Sequence, residues 1–316
     1  MNTKQPNHTR FTFLGLALAL IVAAVTCAEA ADPAPRQTHG PIQRSFATPE
    51  EAAEALVAAV RSGDARGIGQ VLGPGTDKLI RSGDPVADRR SRERFLAAYD
   101  EHSTIEREAE AKATLLIGEK DWPFPFPLVR RADKWTFDAR SGADEVLNRR
   151  IGRNELAAIQ VCLAYVDAQR EYAMTAGSVD GVHAYAMRLV STPGKKDGLY
   201  WRAQEGEPPS PLGPLASKAR EEGYTGQPYH GYYYRILTAQ GAGAPDGAYD
   251  YVIDGRMIGG FALIAYPARW GASGVMTFIV NHDGVVHQRN LGRRTAAIAA
   301  SITRFDPDAS WSKVQP

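Results

Sequence analysis

DEVLNRRIGRNELAAIQVCLAYVDAQREY, residues 144–172, decides the architecture of this chain. Leu147, Ile151, Ile159, Leu163 and Val166 recur at helical spacing, with Glu155, Asp167, Arg170 and Glu171 among the polar positions, and the pattern predicts one helix from Asp144 to Tyr172. That helix links two halves of different character. Before it, Thr48-Pro49-Glu50-Glu51 combines a capping hydroxyl, a proline at the first helical position and a carboxylate three residues on, the signature of a helix start. Ala53, Leu56, Val57 and Val60 then share a face. A second helix carries Ile68, Val71 and Leu72 up to Gly73-Pro74-Gly75, and a third runs from Val86 to about His102 with a charged, solvated face.

Three strand-like runs follow, Ala113 to Ile117, Phe124 to Val129 and Lys134 to Phe137, and predict a small antiparallel sheet. Pro123, Pro125 and Pro127 cannot donate ladder hydrogen bonds, so the middle run belongs at an edge or a bulge. Trp122, Phe124, Phe126 and Trp135 read as core. After Tyr172 the composition turns to Gly, Pro and Tyr, with candidate strands at Tyr232 to Thr238, Ala248 to Ile253, Gly260 to Tyr266, Met276 to Asn281 and Val285 to Gln288. Asp283-Gly284 supplies a hairpin turn between the last two. The fold class is α+β: helices plus a curved antiparallel sheet, the linking helix, and a second antiparallel sheet.

At the start of the chain, Lys4 and Arg10 precede an apolar stretch from Phe11 to Val25, and Ala28-Glu29-Ala30 offers small residues for cleavage before Ala31. These features predict a signal peptide over 1–30 and a periplasmic or secreted protein with no membrane span once the signal is removed. A lipoprotein acylated at Cys27 is the lesser alternative, since Thr26 is larger than the small residue expected before such a cysteine. Residues 31–44 read as a flexible leader, 45–141 as the first α+β domain, and 142–316 as the long helix with the second.

The 316 residues include 37 Lys plus Arg against 36 Asp plus Glu, a formal net charge of +1 that argues against nucleic acid as a partner. Two cysteines, one inside the signal stretch, leave the mature chain without an internal disulfide or a multi-cysteine zinc site. Cys162 sits in an apolar helix stretch and reads as packing. No nucleophile elbow, phosphate-binding loop, dinucleotide glycine pattern or His-Glu-x-x-His stretch occurs; Gly194-Lys195-Lys196 is followed by Asp rather than Ser or Thr. Neither a cofactor nor a metal is expected.

The residues that gather chemistry lie in the second half. His230, His282, Asp254 and Asp283 are candidates for an acid and base pair, while Tyr232, Tyr234, Arg235 and Arg256 are candidates for binding. His287 is a third imidazole near them. The competing reading gives Asp283 to a turn and lets the tyrosines alternate between core and surface. Two functions follow: a non-enzymatic module binding an envelope protein or polymer, or a hydrolase-like envelope enzyme using His230 or His282 with Asp254 or Asp283. Convergence of those side chains in one cleft is what separates them.

The strings FATPEEA at Phe46, SGDPVADR at Ser82, DWPFPFPLVR at Asp121, NRRIGRNELAAIQVC at Asn148, STPGKKDGLYW at Ser191, PYHGYYYRILTAQG at Pro228 and GVMTFIVNHDGVV at Gly274 are long and unusual. Through them the chain resembles the uncharacterised bacterial family domain of unknown function 2950, which brings no established catalytic residues. Near Asp180 the chain keeps only Asp180-Gly181 of an acid-rich turn, too few carboxylates for a calcium loop. The first half also resembles the cystatin-like, nuclear-transport-factor-two-like arrangement. The second resembles a pilin head, although Arg153, Asn154, Glu155 and Gln160 interrupt the apolar half-helix that filament assembly requires.

Overall fold

The computed structural model describes residues 43–315 apart from Asp180. The expected signal peptide, Cys27, residues 31–42 of the leader and Asp180 of the reduced turn lie outside the described residues. Helix α1 (Pro49–Arg61) starts as its sequence dictates: the Thr48 hydroxyl accepts from Glu51 N at 3.1 Å, while the Glu51 carboxylate reaches back to Ala47 N at 3.0 Å. Helices α2 (Ala65–Leu72), α3 (Asp77–Ile80) and α4 (Pro85–Glu101) follow, then strands β1 (Ser103–Ala109), β2 (Lys112–Ile117), β3 (Trp122–Pro123), β4 (Leu128–Arg131) and β5 (Lys134–Phe137). The antiparallel sheet runs β1-β2-β4-β5, with β3 also paired to β2.

Both β3 and β4 use β2 as their neighbour, and residues 124–127 between them carry Pro125 and Pro127 out of the ladder as a bulge, while Pro123 ends β3 opposite Leu116. Because Leu128 and the residues after it keep their N–H groups, β4 lies between β2 and β5 rather than at an edge. Phe126 and Trp135 enter the core with Leu56, Leu72, Leu128 and Phe137, and Phe124 packs against it. Trp122 departs from the expected core: it is 65% exposed, because the two-residue β3 pairs only with β2 and leaves its indole outside.

Helix α5 (Ala139–Met174) is longer at both ends than its periodicity predicts. Ala143, Val146 and Leu147 pack on the first core, whereas Ala158, Cys162, Tyr165 and Val166 belong to a second core built on the other sheet. A single rigid element thus serves both hydrophobic cores. Its polar interruptions are also used: Asn154 Nδ2 donates to Ser273 O at 2.9 Å, and Glu155 accepts from the amides of Val275 and Met276 at 2.8 and 2.9 Å. Cys162 is buried, and burial alone pushes its thiol up to about 12, which suits a packing role.

Beyond α5 come the hairpin β6 (Ser178–Val179) and β7 (Val182–His183), helix α6 (Gly213–Glu221), and strands β8 (Tyr232–Leu237), β9 (Ala239–Gln240), β10 (Tyr249–Asp250), β11 (Val252–Ile253), β12 (Arg256–Met257), β13 (Ala262–Pro267), β14 (Met276–Asn281) and β15 (His287–Asn290). Helix α7 (Thr295–Ser301) and β16 (Ser312–Lys313) complete the chain. The second sheet is antiparallel in the order β16-β15-β14-β13-β8, and α5 packs across β13 and β14. Asp283-Gly284 does lie in the β14–β15 connection. Pairing starts only at Ile279 opposite His287, so the link is a wide loop around buried Val286 rather than a two-residue turn.

Trp135 is 4% exposed and its backbone pairs with Phe46 on the N-terminal segment. Trp135→Ala is expected to destabilise the protein by about 3–5 kcal/mol, the range for deleting a large buried aromatic. Denaturant titration measures it, and a loss under ~1 kcal/mol contradicts this role for the indole.

Candidate functional site

The sheet register sets the distance between the sequence candidates. Tyr232 opposes Pro267 at one end of β8, and Leu237 opposes Ala262 at the other, where Ala262 in turn opposes Asn281. At ~3.3 Å per residue, His230 before β8 and His282 after β14 are separated by about 17 Å or more along the strands. The two histidines therefore occupy opposite ends of one sheet. Among the described residues, neither is hydrogen-bonded or ion-paired to Asp254, which is exposed in the β11–β12 turn. His282 Nε2 lies 3.9 Å from Asp283, whose carboxylate bonds Asn281, and its ring abuts Tyr251 and Phe261.

The binding candidates have separate employments. Tyr232 is buried and donates to Met276 O at 2.9 Å. Arg235 donates to Ala299 O and Ile302 O at 2.7 and 2.8 Å, closing the C-terminal end of α7. Arg256 reaches Val182 O at 3.4 Å, tying two hairpins. His287 is buried against Phe305. Tyr234 lines a cavity.

At the His230 end, the partners are residues the sequence patterns did not single out. Ser82-Gly83-Asp84-Pro85 begins α4, and Asp84 caps it through Ala87 N at 2.9 Å. The other oxygen of the same carboxylate accepts from the Tyr224 hydroxyl at 2.9 Å and from Gly231 N at 2.7 Å. Asp84 is 1% exposed, so these three donors replace its water. Gly231 has to be glycine: its φ is +74°, and a Cβ there would stand 2.7 Å from Asn154 Nδ2. His230 also has a positive φ of 49°, places Nε2 3.4 Å from the Glu222 carboxylate, and lies over Tyr229 with ring centroids 4.1 Å apart. Burial lowers the His230 pKa from its ordinary 6.5; Glu222 and Asp84 oppose that shift, and Lys218 and Arg90 add to it.

Tyr224 and Tyr229 then turn their other faces to a groove of about 370 Å³ between α5, α6 and the sheet. Val161 and Tyr165 come from α5, Leu215, Ala216 and Ala219 from α6, and Leu263 forms the floor. Among the described residues, no carboxylate lines it. Arg220 stands at the rim with its guanidinium 5.1 Å from the centre of the Tyr200 ring, and the Gln227 amide is spent on the backbone of Tyr234. Burial raises the Tyr229 hydroxyl to about 12, so it remains a neutral donor. A smaller cavity of about 190 Å³ in the first core contains Asp88 and Arg150, but Arg150 donates to Lys78 O and Leu79 O and Asp88 accepts from Ser82 N. Among the described residues, no group of three or more His, Cys, Asp or Glu is arranged to hold a metal ion.

The lowered His230 pKa sets a pH dependence. The unfolded imidazole takes its proton at a higher pH than the folded one, so this contribution to stability is complete above the unfolded value of about 6.5 and declines as pH falls below it. Denaturant midpoints at pH 7.5 and 5.5 are expected to differ less in His230→Asn, a residue that tolerates positive φ, than in the wild type. An unchanged difference contradicts the assignment.

No curated protein and no solved structure matches the chain. A family model does match, over residues 43–314, which takes in both cores, the Asp84 contacts and the groove. On that match, the chain belongs to the family described as Protein of unknown function (DUF2950).

Proposed function

We propose that the protein is an exported, non-enzymatic binding module whose ligand is a small, largely apolar molecule held in the groove between α5, α6 and the second sheet. The observation that carries the reading is the groove itself. Its volume of about 370 Å³ lies within the range of small-molecule sites, and its walls are aliphatic and tyrosine side chains with few polar groups. Tyrosine suits such a wall because it offers a rigid apolar ring with a hydrogen-bonding tip.

The side chains a hydrolase would require speak for binding rather than catalysis: Asp254 pairs with neither histidine, His230 lies at the opposite end of the sheet from Asp283, and the one close pair, His282 and Asp283 at 3.9 Å, has its carboxylate bonded by Asn281 and stands apart from the residues that line the groove. Export is supported by Lys4, Arg10, the apolar run from Phe11 to Val25 and the Ala28-Glu29-Ala30 site. Among the described residues no helix is long and apolar enough to cross a membrane. The concave shape of the groove suits a small molecule better than an envelope protein or polymer.

Titration of the mature protein with N-phenyl-1-naphthylamine, a neutral probe that fluoresces in apolar surroundings, tests this. Ala216 lines the groove from α6, and Ala216→Trp is expected to fill it and weaken probe binding by about tenfold or more, equivalent to ~1.4 kcal/mol. Circular dichroism should be unchanged. Equal binding by the wild type and a folded Ala216→Trp variant contradicts the reading.

A further inference from the structure

A second cavity, of about 310 Å³, shares Val190 and Tyr200 with the groove and is formed by residues 190–196 and 200–202 with Gln204 and Glu207. Its chemistry is the opposite of the groove's. Lys195, Lys196 and Arg202 line it against a single carboxylate, Glu207, which Lys196 approaches at 3.6 Å. Neither Lys195 nor Arg202 has an ion-pair partner among the described residues. In a chain whose formal net charge is +1, three cations around one cavity are a local concentration rather than a reflection of composition.

The walls are pinned by the protein's own bonds. Val190 and Tyr200 pair as a bridge, with Ser191 N donating to Tyr200 O at 2.8 Å. The Asp197 carboxylate, which could otherwise compete for the cations, accepts from Thr192 N and its hydroxyl at 2.7 and 2.8 Å. Tyr172 holds Lys196 O at 2.9 Å, and Ser210 holds Trp201 O at 3.0 Å. One feature is left over. Val190, at the junction, is an aliphatic side chain left 63% exposed. An apolar chain lying across it would cover that surface.

We propose that the two cavities form one site for an anionic amphiphile: a single flexible apolar chain lies in the groove, and a carboxylate or phosphate head sits among Lys195, Lys196 and Arg202, with Val190 and Tyr200 under the junction. The proposal rests on the binding reading of the groove and adds the charge and position of the head. Arg220, which lines the groove and stacks over the shared Tyr200 ring, contributes a fourth positive charge. The head contacts are accessible to solvent, so their attraction weakens as salt rises, whereas the chain's burial does not depend on screening.

Competition against bound N-phenyl-1-naphthylamine tests the assignment, using dodecanoate, dodecyl phosphate, dodecanol and dodecyltrimethylammonium below their micellar concentrations. The two anions are expected to displace the probe at about tenfold lower concentration than dodecanol, and the cation least well. In the double variant K195E/R202E the anions should lose about tenfold while dodecanol and the probe change less than about twofold. Raising salt should reproduce that loss in the wild type. If no twelve-carbon chain displaces the probe, the groove reading itself fails. Equal displacement by all four in both proteins leaves the groove reading standing and overturns the head assignment. Inorganic phosphate binding alone as tightly as dodecyl phosphate, read by calorimetry, identifies a free anion as the ligand and overturns the amphiphile.

Discussion

A carboxylate with almost no contact with water organises this molecule. Asp84 begins α4 in the helical part of the first half, yet two of the three hydrogen bonds its carboxylate accepts come from Tyr224 and Gly231, some 140 residues later. Removing an ionised carboxylate from water is costly unless fixed donors replace the hydration, and here an amide at the helix start, a phenol and a second amide do so. The consequence is mechanical. The segment from Glu222 to Gly231 cannot move away from α4 without exposing or orphaning that charge, and its tyrosines are the wall of the groove. Helix α5 reinforces the same junction by entering both hydrophobic cores and bonding residues 273–276 through Asn154 and Glu155.

The two cavities gain meaning from that arrangement. A pocket lined by side chains on a mobile loop would cost entropy each time a ligand ordered it, whereas walls held by Asp84, by the Gln227 amide and by the Val190–Tyr200 bridge are ordered before any ligand arrives. Charge is placed with the same economy. Among the described residues no acid lines the groove, while the basic cavity beside it holds three cations, of which Lys196 faces Glu207 and Lys195 and Arg202 have no ion-pair partner, the Asp197 carboxylate being bonded by Thr192. Position, rather than net charge, distinguishes the second half of this nearly neutral chain.

Much of the framework is legible in the sequence because its elements carry strong local signals. Thr48-Pro49 starts a helix where capping chemistry demands one, and Met276 to Asn281 is a strand over the residues its pattern predicts. The elements that escape detection lack such signals. Strand β1, STIEREA, has only Ile105 partly buried, so no alternation marks it. Helix α6 is the exception: it lies within a proline-rich stretch and has no side-chain cap, but Leu212, Leu215, Ala216 and Ala219 recur on one face and are a signal for it. The candidate site was only half readable for a different reason. Tyr234 lines the groove, but His230, His282 and Asp254 are near one another only in composition; the strand register that separates the histidines is a property of pairing, not of local pattern. Asp84 stands just before Pro85 at a helix start, and nothing nearby in sequence announces its distant donors.

The most direct test of this account is amide hydrogen exchange, followed by mass spectrometry, on the wild type and Asp84→Asn. An asparagine can keep the helix cap but cannot accept from Ala87, Tyr224 and Gly231 together with a full negative charge. Exchange in peptides covering residues 222–231 should accelerate by about tenfold or more, while β13 and β14 retain wild-type protection. Unchanged exchange across residues 222–231 in the variant would contradict the claim that Asp84 holds the wall of the groove in place.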